Sequence, residues 1–179
     1  MFVVITGGSK CGKSSMAEKI IMQYDCKRYY IATMEPFGKE AEDAILRHRS
    51  MRAGKRFETI ERYRDVGGLA LSEDSAILLE CVANLCANEM FGGEAADTDL
   101  LILRILEDMK RLANGAAVFV AVTSQVGGDG IRYTRETMAY MELLGAVNEG
   151  LARMADVVIE SVYGLPLFLK GEIEIGGRG

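Results

Sequence analysis

Phe2-Val3-Val4-Ile5-Thr6-Gly7-Gly8-Ser9-Lys10-Cys11-Gly12-Lys13-Ser14 carries the reading of this chain: a short β-branched run enters a glycine-rich turn that fits GxxxxGK[ST]. Ser15-Met16-Ala17-Glu18-Lys19-Ile20-Ile21-Met22 follows, with apolar residues at helical spacing. Strand, loop and helix in that order make a phosphate cradle. Glycines let backbone N–H groups converge on phosphate oxygens, and the first turn of the helix adds its unpaired donors and positive dipole end. Gly7, Gly8, Ser9, Lys10, Cys11, Gly12, Lys13 and Ser14 are therefore expected to bind nucleotide phosphates. Lys13 would reach the β- and γ-phosphates, and the Ser14 hydroxyl would sit on Mg²⁺. The motif by itself specifies phosphate, not a reaction.

Outward from the motif, strands alternate with helices. Arg28 to Thr33 reads as a second strand and Lys39 to Arg52 as a helix, with a short strand at Phe57 to Ile60. Ser75 to Glu80 reads as a buried strand ending in an acid, and Val82 to Phe91 as a helix. Asp97 or Thr98 is placed to cap a helix running to about Ala113, closed by Gly115. Ala117 to Thr123 is the clearest buried strand, and Thr134 to Met154 the last long helix. Asp156 to Val162 and Leu167 to Lys170 should form a closing hairpin around Gly164-Leu165-Pro166, with the tail from Gly171 expected to fray. The alternation predicts an α/β fold of the P-loop NTPase type: a mostly parallel sheet covered by helices on both faces, with a C-terminal β-hairpin. One domain spanning residues 1–179 is expected.

Composition narrows the partners. The 179 residues are 49% hydrophobic and 26% charged, and no apolar run approaches the ~20 residues of a membrane span. The first apolar run is too short for a signal peptide, so the expectation is a cytoplasmic protein without a membrane span. A net charge of −5 argues against a nucleic-acid partner. Cys11, Cys26, Cys81 and Cys86 match neither a disulfide framework nor a metal spacing, and read as free thiols.

His48 is the single histidine, with Arg47, Arg49, Arg52, Lys55 and Arg56 around it, five of the 21 basic residues. Such a cluster suits polyphosphate. His48 lies three and four residues after Ile45 and Ala44, so a half-buried core imidazole is one reading. The other is a nucleophile: a neutral imidazole attacks an α-phosphate to form a phosphoramidate, and flanking guanidiniums hold the developing charge and keep the ring unprotonated. Glu80, at the end of a buried strand, stands where P-loop enzymes put an acid for Mg²⁺ or nucleotide, or it caps the next helix. Thr33, Met34, Glu35 and Glu61 also fall at strand ends. Pro36 makes Met34-Glu35 an extended loop at the sheet's carboxyl edge, where open α/β sheets bind ligands. Tyr133, Tyr140 and Tyr163 read as packing residues rather than a base-stacking set.

With these residues assembled, the chain resembles the bifunctional adenosylcobinamide kinase/adenosylcobinamide-phosphate guanylyltransferase family of cobalamin synthesis, nearly end to end. The likeness rests on Gly12-Lys13-Ser14 with Ala17-Glu18, Tyr30-Ile31-Ala32-Thr33, and His48-Arg49 with Arg52 and Thr59-Ile60-Glu61. Leu78-Leu79-Glu80-Cys81 with Asn88, Val126-Gly127, Gly145, Asn148, Ala155-Asp156 and Gly164-Leu165-Pro166 continue it. The resemblance implies phosphorylation of the aminopropanol hydroxyl of adenosylcobinamide with ATP or GTP, then transfer of GMP from GTP through a guanylyl-histidine. By matching, His48 is that histidine, and Thr33, Met34, Glu35, Arg49, Ser50, Met51, Arg52, Glu61 and Glu80 fall on nucleotide-binding positions. Ser14 and Glu80 would serve Mg²⁺, and the resemblance suggests a homotrimer acting on a small-molecule corrinoid. Ser124-Gln125 replaces the family's usual Asn-Glu, Ile131-Arg132-Tyr133 an Ile-Val-Pro stretch, and Ala53 a proline. Two other readings stand beside this one: a P-loop small-molecule kinase without guanylyl transfer, and a nucleotide-sensing binding module.

Overall fold

The computed structural model describes residues 1–36, 38–39, 46, 54–92, 97–127 and 133–176. Its frame is a seven-stranded sheet in the order β3-β2-β4-β5-β1-β6-β7. The strands are β1 (Phe2–Thr6), β2 (Arg28–Ala32), β3 (Phe57–Glu61), β4 (Ser75–Leu79), β5 (Ala116–Val122), β6 (Val157–Val162) and β7 (Leu165–Lys170). All neighbours pair in parallel except β6 with β7, which are antiparallel. The helices among the described residues are α1 (Lys13–Ile21), α2 (Val82–Phe91), α3 (Thr98–Asn114) and α4 (Arg135–Met154).

Strand alternation distributes the core. Val3 and Ile5 of β1 point to the face where α1 packs, joining Met16, Ala17, Ile20 and Ile21. Phe2 and Val4 point the other way, into a larger cluster with α2, α3 and α4. Successive side chains of a strand face opposite sides, so a strand buried on both faces reads as a continuous apolar run. β1, β4 and most of β5 are such strands, with every residue of β1 and β4 buried. The expected α/β architecture, covered on both faces and closed by an antiparallel edge strand, is what the chain adopts.

α2, α3 and α4 each start on a side-chain cap. Asp97 caps α3 by accepting from the Asp99 and Leu100 N–H groups, and Thr134 caps α4 through the Thr137 N–H. The cap of α2 is Cys81 and not Glu80, the capping candidate from the sequence: the Cys81 Sγ accepts from the Asn84 N–H at 3.4 Å.

Three local expectations need correction. β7 begins at Leu165, not Leu167, so Pro166 lies within the strand; β7 is a sheet edge, where a missing N–H is tolerated. The turn is Tyr163-Gly164, both at positive φ (51° and 81°), the backbone of a tight hairpin whose twist matches its strands. The tail does not fray at Gly171: Ile173 and Ile175 pack on the α1-side core, and the Gln23 carboxamide donates to the Glu174 carbonyl at 2.8 Å. The helix expected over 39–52 falls almost wholly outside the described residues.

Candidate functional site

The loop between β1 and α1 has the backbone of a phosphate cradle. Gly12 takes a left-handed φ of 98° at the N-cap of α1, and no side chain caps that end. The first N–H groups of α1 are thus left to a ligand, at the positive end of the helix dipole. Gly7, at φ 139°, is required on two counts: a Cβ there would lie 2.6 Å from the Ser161 carbonyl oxygen and 2.9 Å from the Cys11 sulfur. The Lys13 ammonium lies back over the loop, donating to the Gly7 and Gly8 carbonyls at 2.8 and 2.5 Å. Beside it Lys10, Cys11, Gly12, Ser14, Ser15 and Glu18 line, with Lys13, a cleft of about 240 Å³.

Two features fix this loop from outside. The carbonyl of Cys11 accepts from the Gly164 N–H at 2.8 Å and from the Ser161 hydroxyl at 2.8 Å. The β6–β7 hairpin therefore holds the cradle in shape, and Ser161, 2% exposed, is spent wholly on this contact. On the opposite flank the buried Glu18 carboxylate pairs with the Lys55 ammonium. Lys55 follows the His48 segment in the sequence.

The other candidate residues spread along the carboxyl edge of the sheet. Neighbouring strands lie about 4.8 Å apart. Strand order then puts Glu80, just beyond β4, two steps from β1 or about 10 Å, and Thr33, just beyond β2, three steps or about 14 Å. Glu61, the last residue of β3, stands four steps away, about 19 Å. Glu80 is 7% exposed at the head of α2, and Glu35 and Glu61 are exposed, the latter accepting from the Tyr63 hydroxyl at 3.3 Å. The loop residues and Glu80 fall near one another, while Glu61 belongs to the far end of the edge. His48, Arg49, Ser50, Met51 and Arg52 lie outside the described residues.

Thr33 has a structural task. Fully buried, its hydroxyl donates to the Cys81 carbonyl at 2.8 Å, while the Asn88 carboxamide donates to the carbonyls of Thr33 and Tyr63 at 2.8 and 3.2 Å. A similar clamp closes β5. The Thr123 hydroxyl donates to the Asn148 side-chain oxygen at 2.6 Å, and the Asn148 amide donates to the Ser124 carbonyl at 3.2 Å. These clamps satisfy carbonyls that the strands leave unpaired where the sheet opens to ligand. Sequence reading quoted Asn88 and Asn148 without a role and passed over Ser161 altogether. Their partners lie 55, 24 and 150 residues away, beyond any local pattern.

The thiols of Cys81 and Cys86 are set apart from the chemistry. All four cysteines are free. Burial pushes the Cys81 thiol up, and that of Cys86 to about 12, so both stay protonated and inert near neutrality. Burial likewise raises Tyr140 to about 12, and its hydroxyl donates to the Ala83 carbonyl at 3.0 Å, in keeping with a packing role. Tyr163 departs from that expectation: it is 94% exposed and packs against nothing in the core. For Mg²⁺, a hard cation that keeps several waters and phosphate oxygens, the Ser14 hydroxyl and the Glu80 carboxylate are the right donor type. No cluster of three or more His, Cys, Asp or Glu side chains that would cage a metal occurs among the described residues.

No helix among the described residues is long and apolar enough to cross a membrane. In overall fold the chain is similar to a solved protein of Pyrococcus horikoshii OT3, at a TM-score of 0.51 and 9% identity, covering 99% of this chain and 90% of that one. Among curated proteins it is 31% identical to the bifunctional adenosylcobalamin biosynthesis protein CobU of Salmonella typhimurium, covering 95% of this chain and 100% of that protein. It is 28% identical to the Escherichia coli K12 protein of the same name, with the same coverage. It is 25% identical to CobP of Pseudomonas aeruginosa, over 94% of this chain and 97% of that one. The model of the cobinamide kinase / cobinamide phosphate guanyltransferase family matches residues 3–169, spanning the cradle, both clamps and nearly all of the closing hairpin. This chain, an enzyme by that membership, belongs to the cobinamide kinase / cobinamide phosphate guanyltransferase family.

Proposed function

We propose that residues 1–179 act as one cytoplasmic transferase domain with two linked reactions on a small corrinoid. The first phosphorylates the aminopropanol hydroxyl of adenosylcobinamide with ATP or GTP; the second moves GMP from GTP onto that phosphate, giving adenosyl-GDP-cobinamide. The observation that carries the reading is the cradle: an uncapped helix start behind Gly12, with the Lys13 ammonium held over the loop.

In the kinase step, loop N–H groups from Gly7 to Ser14 hold the phosphates, and Lys13 leaves its loop carbonyls to neutralise the β- and γ-oxygens. The substrate hydroxyl oxygen forms a bond to the γ-phosphorus as the bond to the β–γ bridging oxygen breaks; the nucleoside diphosphate leaves and the hydroxyl proton passes to solvent. Ser14 and Glu80 are the residues that would hold Mg²⁺, which when bound neutralises phosphate charge. In the transferase step an imidazole nitrogen of His48 attacks the α-phosphorus of GTP, and pyrophosphate leaves. An oxygen of the corrinoid phosphate then takes the guanylyl group and releases the imidazole. Arg49 and Arg52 hold charge on the phosphates, with Ser50, Met51, Thr33, Met34, Glu35 and Glu61 completing the nucleotide contacts. Thr33 would contribute mainly by shape, its hydroxyl being committed to Cys81. The assembly proposed is a homotrimer.

Intact mass after incubation with GTP and Mg²⁺ tests the central step. Wild type should gain one guanylyl group, labile to acid and stable to base, and His48→Asn should gain none. No adduct in a wild type that demonstrably binds GTP would overturn the guanylyl-histidine and favour a kinase alone or a nucleotide sensor.

A further inference from the structure

The cleft beside the cradle has a buried acid in its wall. Glu18 is 5% exposed, yet it lines the same cleft as Lys10, Lys13 and Ser14. It follows Ser14 by four residues in α1, the spacing that puts two side chains on one face of a helix with Cβ atoms about 5–6 Å apart. Helical side chains lean toward the N-terminus, which turns the Glu18 carboxylate along that face toward the cradle. A carboxylate without a counter-charge at that place repels phosphate oxygens.

The counter-charge comes from elsewhere in the chain. The Lys55 ammonium donates to the Glu18 carboxylate, and the Lys55 side chain is 36% exposed while its partner is buried. The backbone around Lys55 is unusual. Gly54 and Arg56, on either side of it, are both left-handed, with φ 82° and 57°. Glycine adopts that conformation freely, whereas arginine there stores strain, and such strain persists only where the surroundings fix the backbone. Arg28 does so: its guanidinium donates to the Lys55 carbonyl at 3.4 Å and to the Tyr24 carbonyl at 2.7 Å. Two left-handed neighbours and a guanidinium clamp thus hold the one lysine that meets Glu18.

We propose that Glu18 and Lys55 set the charge of the phosphate cleft: the carboxylate weakens the hold on a triphosphate, and Lys55, outside the GxxxxGK[ST] motif, restores it by neutralising Glu18. Lys55 acts through Glu18 and touches no reacting atom, so it is a positioning residue. The inference rests on the loop being the triphosphate site. A cleft that must release pyrophosphate after each guanylyl transfer is served by an acid that tempers Lys10 and Lys13, held in check by a partner.

Calorimetric titration with inorganic tripolyphosphate reads the charge of the cleft without base or sugar. The full chain is compared as wild type, Lys13→Ala, Glu18→Gln, Lys55→Met, Lys55→Arg and the double variant Glu18→Gln/Lys55→Met. Glu18→Gln keeps the shape and removes the repulsion. It should tighten tripolyphosphate by about 3- to 30-fold, the effect of one unit charge about 8–12 Å from a phosphate at an effective dielectric of about 20–40. Lys55→Met should weaken binding by a similar factor, while Lys55→Arg and the double variant should bind as wild type does. Opposite signs in the two single variants are the signature, because a pair that only braced α1 would weaken binding in both. Lys55→Met leaves a buried carboxylate unpaired and is the variant most exposed to loss of the fold; Glu18→Gln and the double variant then carry the test. Unchanged or weaker binding in Glu18→Gln overturns the proposal, as does a folded Lys55→Met or a double variant that departs from these expectations. Loss of binding in Lys13→Ala together with no change in Glu18→Gln keeps the loop as the phosphate site and discards the pair. Failure of wild type to bind tripolyphosphate would instead overturn the reading of the loop, and this inference with it.

Discussion

At the scale of single residues, the cradle separates glycines that the backbone requires from one that it does not. Gly7 combines φ 139° with a carbonyl oxygen 2.6 Å from any added Cβ, and that oxygen belongs to the backbone of β6, paired on both sides in the sheet. Gly8 has open space around the same position and no left-handed φ. Gly7→Ala should therefore cost about 1–3 kcal/mol of stability, the range for a residue forced into a sparsely allowed conformation. Gly8→Ala should leave stability within about 0.5 kcal/mol of wild type. Urea midpoints of the two variants measure the difference, and equal midpoints would remove the special status of Gly7. The motif pattern GxxxxGK[ST] names the glycine positions; only the packing of β6 against the loop shows which one meets steric resistance.

At the scale of elements, the hairpin and the loop behave as one unit. Ser161 lies on the α1 side of β6, where an apolar side chain would pack against the core, yet its hydroxyl reaches the Cys11 carbonyl and ranks among the most buried polar groups. Ser161→Ala removes that donor while the Gly164 N–H remains, so the carbonyl keeps one partner. A loss of about 1 kcal/mol is expected, the net worth of one such hydrogen bond. Hydrogen exchange should rise at the Gly164 amide, and GTP affinity should fall, because the loop loses one of its restraints. Unchanged exchange at Gly164 would mean that the brace does not hold the loop. Element type was plain along most of the chain because β1, β4 and β5 are unbroken apolar runs and α3 and α4 carry explicit caps. The start of β7 was not. Pro166 reads locally as a turn residue, and only its place on the sheet edge lets it sit in a strand.

At the scale of the whole molecule, the loop between β3 and β4 is tied to α3 through a buried acid. The Asp108 carboxylate accepts from the Gly67 N–H, and burial raises its pKa above the ordinary 3.8, with Asp65 and Glu89 raising it further and Arg111 opposing. An acid whose folded pKa is raised binds its proton more tightly in the folded state. Its contribution to stability is present in full below about pH 4 and is lost as pH rises through the folded value. Asp108→Asn keeps an acceptor for Gly67 without the ionisation, so its stability relative to wild type should increase between about pH 4 and pH 7. Denaturant titrations at both ends of that range check the sign, and a difference independent of pH would refute it. The cradle, the strand–helix alternation, the two-faced burial and the family likeness were all carried by local residue order, because phosphate loops and buried strands are short-range patterns. The order of the strands, the clamps by Asn88 and Asn148, the brace from Ser161 and the exposure of Tyr163 were not, because each depends on groups brought together from far apart in the chain. Parallel pairing does this: β1 and β6 are neighbours in the sheet but lie at opposite ends of the sequence, and the contact between them exists only once the sheet has formed.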